Sequence, residues 1–516
     1  MIVDARSVPP STIIETEICI IGAGAAGITL ARKFKDAPFR VAVLESGGME
    51  LDAATQQLYE GQSIGGSFPH LATSRLRFFG GSTNHWGGWC MPLDPIDFEG
   101  SDELPYHGWP FAKSELDPWY RQAQEVCELG PYDYRPASWG IPPSKIPPPF
   151  SGPNFESKIL QESRVHFGPV YSSDLRHAPR VTVYLYANAF RLDGGESTAE
   201  ITDLSVKTLS GNHFSVRSRF YILAAGGIEN ARLLLVSGLG NAHDRVGRFF
   251  MTHLLYAGAI IAPSDPHMNF DFRIGGTYPA FGGAHSFVSF IGLTASSMRR
   301  LQLPSVFIFW SYRLSPVVDA VKALQRLIGG EGPGGSRVSD LSKVIGDLDG
   351  VASFAMRKAL FGEGIPVEEL ELSYVAEQQP NPQSRVMLGS ERDPLGMPRV
   401  VVHWRLTDED KSKAAAAFRL LGTEIGRAGF GRLRAAPNDR DGVPSDFHPN
   451  EHHMGTTRMH ADPRAGVVDP NCRVHSFANL YVAGSSVFPT GGSSNPTLTI
   501  VALALRLANH IKQQLN

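Results

Sequence analysis

The hydrophobic pattern alternates between short apolar runs and amphipathic stretches, which is typical of a mixed α/β protein. Glu17 to Ile21 is a β-branched run that predicts a buried parallel strand, and a helix is predicted to begin near Ala25. Arg40 to Leu44 predicts a second strand of the same kind. Arg219 to Leu235 predicts a further buried strand, a glycine turn and a leucine-rich helix. The pattern therefore favours an α/β fold with parallel strands.

The pattern changes between about Met251 and Pro449, where β-prone stretches are separated by long loops. Two of these stretches are Ala257 to Ala262 and Pro398 to Trp404. A substrate-binding domain is therefore predicted in this part of the chain. Within it, Gly329 to Ser336 is GGEGPGGS, a flexible loop between helix-like segments. Its role stays open between a mobile lid over the active-site mouth and a surface insertion.

The C-terminal region predicts one more strand and a buried helix. The last core strand is predicted at Asn479 to Gly484. Asn495 and Pro496 predict a helix start, because Asn is a favoured cap and Pro fits the first helical position. The residues that follow are apolar nearly all round, so this helix is predicted to be buried.

The composition narrows the classes of partner. The chain has 516 residues, enough for roughly two or three domains of about 150 residues each. Its 48 basic and 51 acidic residues nearly cancel and form no cationic run, so neither nucleic acid nor an anionic membrane is an expected partner. No apolar run approaches the roughly 20 residues of a membrane span, and the first residues show no secretion signal. We expect a soluble, cytoplasmic protein.

The spacing of the four cysteines argues against a metal site or an iron-sulfur or haem centre. They are scattered without the CxxC or CxxCH spacing that is typical of iron-sulfur, haem or structural zinc ligands. Reduced thiols are therefore expected, and no metal site is predicted.

The sequence GAGAAG follows the first predicted strand and has the spacing of a dinucleotide-binding fingerprint. Gly22 permits a tight turn, Gly24 lets the backbone approach a pyrophosphate, and Gly27 lets the helix pack closely on the strand. The amide end of the helix faces the phosphates in such motifs. Glu45 ends the second strand 23 positions beyond Gly22, where an acid that bonds ribose hydroxyls is expected. The fingerprint alone does not separate NAD from FAD.

A glycine-dense loop at Arg75 to Pro92, RLRFFGGSTNHWGGWCMP, carries aromatic residues and one histidine. It resembles the flavin-flanking loop of the glucose-methanol-choline (GMC) oxidoreductases, above all of pyranose oxidases. In that group a histidine followed by Trp can be bonded covalently to the flavin, and His85 and Trp86 fall on that position. Asn84 stands where pyranose oxidases have Thr. Covalent and noncovalent flavin binding therefore both stay open.

The C-terminal motif carries the predicted chemistry. The pattern His-x-x-Gly-Thr-x-x-Met, which begins at His452, matches the position of the family's catalytic base. The resemblance implies that His452 takes the hydroxyl proton and that Asn495, 43 positions later, bonds the same substrate oxygen. A neutral histidine suits this task near pH 7, because its unperturbed pKa is about 6.5. The neighbouring His453 is expected to support packing.

The resemblance covers almost the whole chain and implies an α/β fold of the GMC type. A Rossmann-like FAD-binding domain is expected at 1–250 and 445–516, including a flavin loop and an extended surface arm within 75–155, and a β-sheet substrate domain is expected at 251–444. The two ends of the chain must therefore meet in space. The FAD contacts expected from the fingerprint and the resemblance are Gly22, Gly24, Ala26, Gly27, Glu45, Gly81, Ser82, Asn84, His85, Ala225, Gly226, Gly484, Asn495, Pro496 and Thr497.

The implied activity is FAD-dependent oxidation of a secondary hydroxyl, at C3 or C2 of a pyranose sugar or glycoside, to a keto-sugar. The hydride would pass to flavin N5, and oxygen or a quinone-like acceptor would reoxidise the flavin. The branch that the motifs resemble most is that of pyranose oxidases and bacterial glycoside 3-oxidases. Oxidation of a non-sugar alcohol, an NAD(P)H-dependent flavin monooxygenase and a flavin-bound scaffold stay open as alternatives, and a homo-oligomer also stays open.

Overall fold

The computed structural model describes residues 1–65, 68, 70–100, 106–195, 199–265, 277–314, 367–436 and 446–515. The glycine-rich segment 329–336 and its helix-like flanks lie outside the described residues, so the choice between a lid and an insertion stays a prediction. Within the described ranges, no helix is long and apolar enough to cross a membrane.

The described strands are short and distributed along the whole chain. They are β1 Ile2–Asp4, β2 Ile13–Ile21, β3 Val41–Leu44, β4 Gly61–Gly65, β5 Trp89–Cys90, β6 Phe155–Glu162, β7 Val181–Leu185, β8 Asn188–Gly195, β9 Glu200–Lys207, β10 His213–Leu223, β11 His253–Pro263, β12 Tyr278–Ala280, β13 His285–Leu293, β14 Val306–Leu314, β15 Val367–Glu377, β16 Arg385–Arg392, β17 Pro398–Trp404, β18 Gly431–Arg434, β19 His448–Pro449 and β20 Leu480–Val482.

The described α-helices alternate with these strands mainly in the first half of the chain. They are α1 Ala25–Phe34, α2 Ala53–Gln56, α3 Lys113–Val126, α4 Phe167–His177, α5 Gly226–Ser237, α6 Ala295–Leu301, α7 Asp408–Arg427 and α8 Thr497–Leu515. The strands and helices predicted around Ile21, Ala25, Leu44, Leu223 and Asn495 are confirmed.

The first sheet has the order β1-β7-β3-β2-β10, and β20 and the hairpin β8-β9 both pair with β10. Strands β1, β7, β3, β2, β10 and β20 run parallel, and only the hairpin is antiparallel. Parallel strands need crossover connections, and α1 supplies the crossover between β2 and β3. Because β20 pairs Leu480 with Tyr221, the C-terminal part of the chain joins the sheet that holds the N-terminal fingerprint. The predicted meeting of the two ends is confirmed.

Helix α8 stabilises this arrangement from one face of the sheet. It packs against α1 and α3. Most of its apolar side chains, including Leu498, Val501, Leu505 and Ile511, are buried in the same core as strand residues Ile18 and Ile20. The predicted burial of this helix is confirmed.

The second sheet is antiparallel and has the order β18-β11-β15-β14-β13-β6-β5, with β12 beside β13 and β19 beside β11. Helix α7 covers one face, where the Tyr374 hydroxyl donates to the Ala414 carbonyl at 3.0 Å. Strands β5, β6 and β19 come from outside residues 251–444, so this sheet is not built from the predicted substrate segment alone. The domain boundaries remain a prediction. A third, small sheet joins β16, β17 and β4.

The predicted extended arm at residues 129–153 differs from expectation in two ways. It contains the short 3-10 helices Pro136–Trp139, Pro143–Lys145 and Pro148–Phe150. Trp139 and Ile141 are also buried, in a cluster with Ile159 and Phe287 of the second sheet. The prediction of a surface arm without helix is therefore corrected, because these apolar side chains find a partner that local sequence does not reveal.

The turn after β2 depends on two close backbone approaches. Gly22 has φ +108°, and a Cβ built on it would lie 2.6 Å from the Ala224 carbonyl oxygen. A Cβ built on Gly27 would lie 1.9 Å from the Gly22 carbonyl oxygen. Helix α1 can therefore sit against the turn only if residue 27 has no side chain.

We predict that Gly27→Ala lowers the free energy of unfolding by about 1–3 kcal/mol, because the methyl group forces the helix away from the turn. The matched control is Gly426→Ala, at an exposed position of α7 where a Cβ would meet nothing within 4 Å. That change should raise stability by up to about 1 kcal/mol through helix propensity. Thermal unfolding midpoints measure both, and a Gly27→Ala midpoint equal to that of the wild type would contradict the packing argument.

Candidate functional site

A cavity of about 400 Å³ extends from the fingerprint turn to the C-terminal motif. Its walls bring together residues that are far apart in the sequence, because β20 and α8 lie next to β10 and α1. Of the residues predicted as a site, those on the cavity wall are Gly22, Gly24, Ala26, Glu45, Gly81, Ser82, His85, Ala225, Gly226, His452, Gly484, Asn495, Pro496 and Thr497.

At one end of the cavity, the N-terminus of α1 is open. Gly24 is the N-cap, and no side chain caps the helix there. A Cβ built on Gly24 would meet nothing within 4 Å, so the space in front of this helix end belongs to the cavity. The amides of a helix N-terminus carry partial positive charge and bind phosphate. This end therefore suits a phosphate group.

Glu45 lies at the carboxyl end of β3, beside the turn. Its Oε2 accepts a hydrogen bond from the Ala23 amide at 2.9 Å, and its Oε1 accepts one from the Gly47 amide at 2.8 Å. Burial raises the pKa of the Glu45 carboxyl, and these two backbone bonds act in the opposite direction. The side chain is thus held in one orientation on the cavity wall, with lone pairs left for a ligand hydroxyl.

A buried ionic cluster on the same wall was not predicted from the sequence. Glu229 of α5 forms ion pairs with Arg75 at 3.0 Å, Arg232 at 3.1 Å and Arg77 at 3.5 Å. Burial alone would raise the pKa of Glu229, but the three guanidinium groups lower it to about 2. Both Arg75 and Arg77 also lie over the Tyr59 ring. Because its members come from separate loops and a helix, no local motif indicates this cluster.

Two predicted cofactor contacts do not lie on the described cavity wall. Gly27 faces the turn at Gly22. Asn84 donates from its side-chain amide to the Phe79 carbonyl at 3.0 Å and so holds the glycine-dense loop together. The next residue, His85, is exposed and on the wall. Trp86, also on the wall, is anchored by a 3.0 Å hydrogen bond from its ring N–H to the Val165 carbonyl.

His452 also lies on the cavity wall. Met454, two residues after His452, exchanges two backbone hydrogen bonds with Met251, at 3.0 and 3.1 Å. This bridge holds the C-terminal motif against the start of β11. It brings Nδ1 of His452 to 2.8 Å from Nδ1 of His253. Burial lowers the pKa of His452 well below its ordinary value, and His253 and His453 lower it further.

The two neighbouring histidines are also neutral near pH 7. Burial lowers the pKa of His253. Burial lowers the pKa of His453 to about 3, and its ring packs near those of Phe250 and Phe68, with centroids 5.8 and 5.6 Å away. The expectation that His453 supports packing agrees with these contacts. His253 was not predicted as a site residue from the sequence, because it begins a β-prone stretch without any recognisable motif.

Asn495 precedes α8 on a loop that hydrogen bonds hold in place. The Ser494 hydroxyl donates to the Pro92 carbonyl at 3.1 Å, and the Ser305 hydroxyl donates to that of Ser493 at 2.8 Å. Within the described ranges, the Asn495 side-chain amide has no hydrogen-bond partner, and it lies on the cavity wall. A donor and acceptor group is therefore available on the same cavity wall as the neutral His452.

The donor set fits an elongated dinucleotide better than a metal. Among the described residues, no group of three or more His, Cys, Asp or Glu side chains could hold a metal ion. The cavity instead offers a phosphate-binding helix end, a backbone-held carboxylate and glycine surfaces at Gly226 and Gly484, where an added Cβ would meet nothing within 4 Å. These features suit an extended dinucleotide such as FAD along the cavity.

Comparison with known proteins indicates an oxidoreductase. The GMC oxidoreductase family model matches residues 380–504. The chain is 25% identical to the 6'''-hydroxyparomomycin C oxidase of Streptomyces lividus, with 97% of this chain and 92% of that protein covered. It is 24% identical to the 2-methyl-1,2-propanediol dehydrogenase of Mycolicibacterium austroafricanum, with 97% and 96% covered. A shorter stretch, 24% of each chain, is 37% identical to the C-glycoside 3-oxidase of Microbacterium trichothecenolyticum.

The fold is shared with a solved structure. The formate oxidase of Aspergillus oryzae RIB40 superposes with a TM-score of 0.58 at 15% identity, over 97% of this chain and 98% of that one. The expected fold class, an α/β fold with a Rossmann-like FAD-binding part and additional sheets, is confirmed. The C-terminal region, residues 380–504, is therefore similar to that of the glucose-methanol-choline oxidoreductases, and the chain is an FAD-dependent oxidoreductase that acts on CH–OH groups.

Proposed function

We propose that this enzyme oxidises a secondary hydroxyl, at C3 or C2 of a pyranose sugar or glycoside, to give a keto-sugar. The observation that carries the proposal is that a neutral His452 and the Asn495 amide line the same cavity, which also reaches the dinucleotide fingerprint. The similarity to the C-glycoside 3-oxidase supports a sugar substrate. Oxygen or a quinone-like compound is the proposed final electron acceptor.

His452 is the proposed base. Its Nδ1 is engaged by His253, so Nε2 is the ring nitrogen left for the substrate hydroxyl. The lowered pKa keeps the ring neutral, and hence able to accept a proton, at and below neutral pH. The substrate O–H bond breaks as an N–H bond forms at Nε2.

Asn495 is proposed to orient the substrate. Its amide would donate to the same oxygen that His452 deprotonates, which fixes the C–H bond relative to the cofactor. FAD, when bound, would supply the acceptor for the hydride that leaves that carbon. The N-terminus of α8, reached by the cavity at Thr497, adds partial positive charge where negative charge would accumulate.

The loop and fingerprint residues are proposed to hold the cofactor. Gly22 and Gly24 with the open end of α1 would bind the pyrophosphate, and Glu45 would accept hydrogen bonds from the ribose. His85 is exposed on the wall, in a position where either a covalent or a noncovalent flavin contact can form.

A non-sugar alcohol is the second candidate substrate. The observation that favours it is the similarity to the 2-methyl-1,2-propanediol dehydrogenase, which extends over 97% of this chain. The catalytic groups would have the same roles for either substrate, so only substrate trials separate the two.

Substrate identity can be tested by mixing the yellow holoenzyme anaerobically with sugars, glycosides and simple alcohols while oxidised-flavin absorbance is followed. We predict bleaching by a pyranose or glycoside without NAD(P)H. His452→Ala should keep its flavin but lose about 10²- to 10⁴-fold in the rate of bleaching, the usual contribution of a general base. The control His475→Asn, at a part-buried histidine bonded to the His460 carbonyl and away from the cavity wall, should bleach normally. Bleaching by diols alone would overturn the sugar assignment.

The pH dependence of the rate of flavin reduction follows from the protonation state of His452. The base works when neutral, so the rate should rise with pH through the pKa of His452 and then stay level. Because burial lowers that pKa, the acid limb should lie below the ordinary histidine value of about 6.5. Stopped-flow reduction across pH measures this. An acid limb at or above that value would contradict the proposed state of the base.

Cofactor binding at the fingerprint can be tested with Gly24→Ala. The backbone at Gly24 has φ −87°, which Ala adopts without strain, but its methyl group would occupy the cavity in front of α1. The variant should fold with a near-normal thermal midpoint and retain less FAD after gel filtration, as measured by the flavin-to-protein absorbance ratio. Gly426→Ala should retain its full flavin content. Equal retention in both variants would contradict the proposed phosphate site.

A further inference from the structure

We infer that His253 is a positioning residue, which holds the His452 ring in the tautomer that can accept a proton from the substrate; the inference rests on the proposed function of His452. The two Nδ1 atoms lie 2.8 Å apart, so one ring must donate and the other must accept. Within the described part of the chain, the His452 ring makes no other hydrogen bond. The direction of this single bond therefore decides the tautomer of His452.

The two directions have different consequences. If His253 donates, a neutral His452 carries its own proton on Nε2 and cannot accept another from the substrate there. If His452 donates from Nδ1, its Nε2 lone pair faces the cavity. Only the second arrangement permits the proposed chemistry.

The surroundings of His253 favour the second arrangement. In it, His253 accepts at Nδ1 and carries a proton on Nε2. Nε2 is buried, has no hydrogen-bond partner among the described residues, and lies 3.6 Å from the position of a Cβ built on Gly491. Glu377 and the backbone of Gly491 and Gly492 all favour a proton on this ring. Because Nδ1 faces His452, Nε2 is the ring nitrogen left to carry that proton.

Glu377 is held as a carboxylate beside His253. The two residues are directly opposite each other on β11 and β15, so their side chains lie on the same face of the sheet. The Gly492 amide donates to Glu377 Oε1 at 3.0 Å, and His107 Nε2 lies 3.8 Å from Oε2. Although burial acts against both charges, this pairing raises the pKa of His107 to about 9 and lowers that of Glu377. The carboxylate is therefore charged at neutral pH.

The proton balance is simple. The substrate O–H bond breaks, and the proton forms an N–H bond at His452 Nε2. The Nδ1 proton of His452 remains hydrogen-bonded to His253, which lies beside the Glu377 carboxylate. No electron is transferred in this step, because the hydride leaves separately to FAD as in the proposed function.

The test uses holoenzyme with His253→Leu, which removes the acceptor, and His253→Asn, whose side-chain oxygen can replace Nδ1 as the acceptor. Anaerobic flavin reduction should slow by about tenfold or more in His253→Leu, a part of what a general base contributes. His253→Asn should recover most of the rate. His475→Asn serves as the remote histidine control. Flavin content and thermal midpoint identify any variant that fails to fold.

A second readout needs no substrate. In holoenzyme with ¹⁵N-labelled histidine, proton NMR should show a downfield N–H resonance for the His452–His253 bond, and ¹⁵N shifts should show His452 protonated at Nδ1. This resonance should disappear in His253→Leu and persist in His475→Asn. Its absence in the wild type, or ¹⁵N shifts that place the His452 proton on Nε2, would overturn the inference.

Glu377→Gln tests the contribution of the Glu377 charge to the reaction. It also serves as a second variant if His253→Leu does not fold. The amide keeps an oxygen for the Gly492 N–H, so the loop is retained while the charge is lost. The rate of flavin reduction should fall, and its acid limb should move to lower pH, because the protonated pair loses its counter-charge. The titratable groups around the pair are Glu451 and His453 beside His452, and Glu377, His107 and Asp97 behind His253.

The outcomes separate this inference from the proposed function. If no alcohol or sugar reduces the wild-type flavin, the proposed function fails, while the NMR measurement still tests the hydrogen bond. If the wild type is reduced but His253→Leu is reduced as fast, the proposed function stands and the positioning role of His253 is wrong.

Discussion

The pairing of β20 with β10 is the interaction on which the site depends. It adds β20 to the sheet that contains β2, the strand before the fingerprint, and so places α8 against α1. Without it, the fingerprint and the C-terminal motif would be the two far ends of a long chain. With it, the open N-terminus of α1 and the proposed base His452 lie on one cavity wall.

Burial then determines the chemistry of that wall. Removing the histidines from water keeps His452, His253 and His453 neutral, which a proton acceptor requires. Burial would destabilise an unpaired charge. The charged side chains near the histidines are therefore found in ion pairs. Glu229 is surrounded by arginines at one end of the cavity, and Glu377 is paired with His107 behind the base.

Local motifs predicted the parts of this site in which neighbouring residues act together. The turn at Gly22, the helix start at Asn495 and the position of His452 follow from spacings of a few residues, because a tight turn or a helix cap is a local structure. The partners that act across the fold were not predictable in this way. His253 reaches His452 through a bridge between strands, and the burial of Trp139 depends on a sheet formed from distant segments.

The central claim is that a hydride leaves a secondary carbon of a sugar for FAD. Stopped-flow reduction of the holoenzyme with glucose, or with the glycoside that reduces it fastest, carrying deuterium at C2 or at C3 tests this most directly. The account predicts that deuterium at one of these two positions slows flavin reduction severalfold, while deuterium at the other leaves it unchanged. Unchanged rates with both labels, together with slower reduction by a substrate labelled at a primary alcohol, would contradict it.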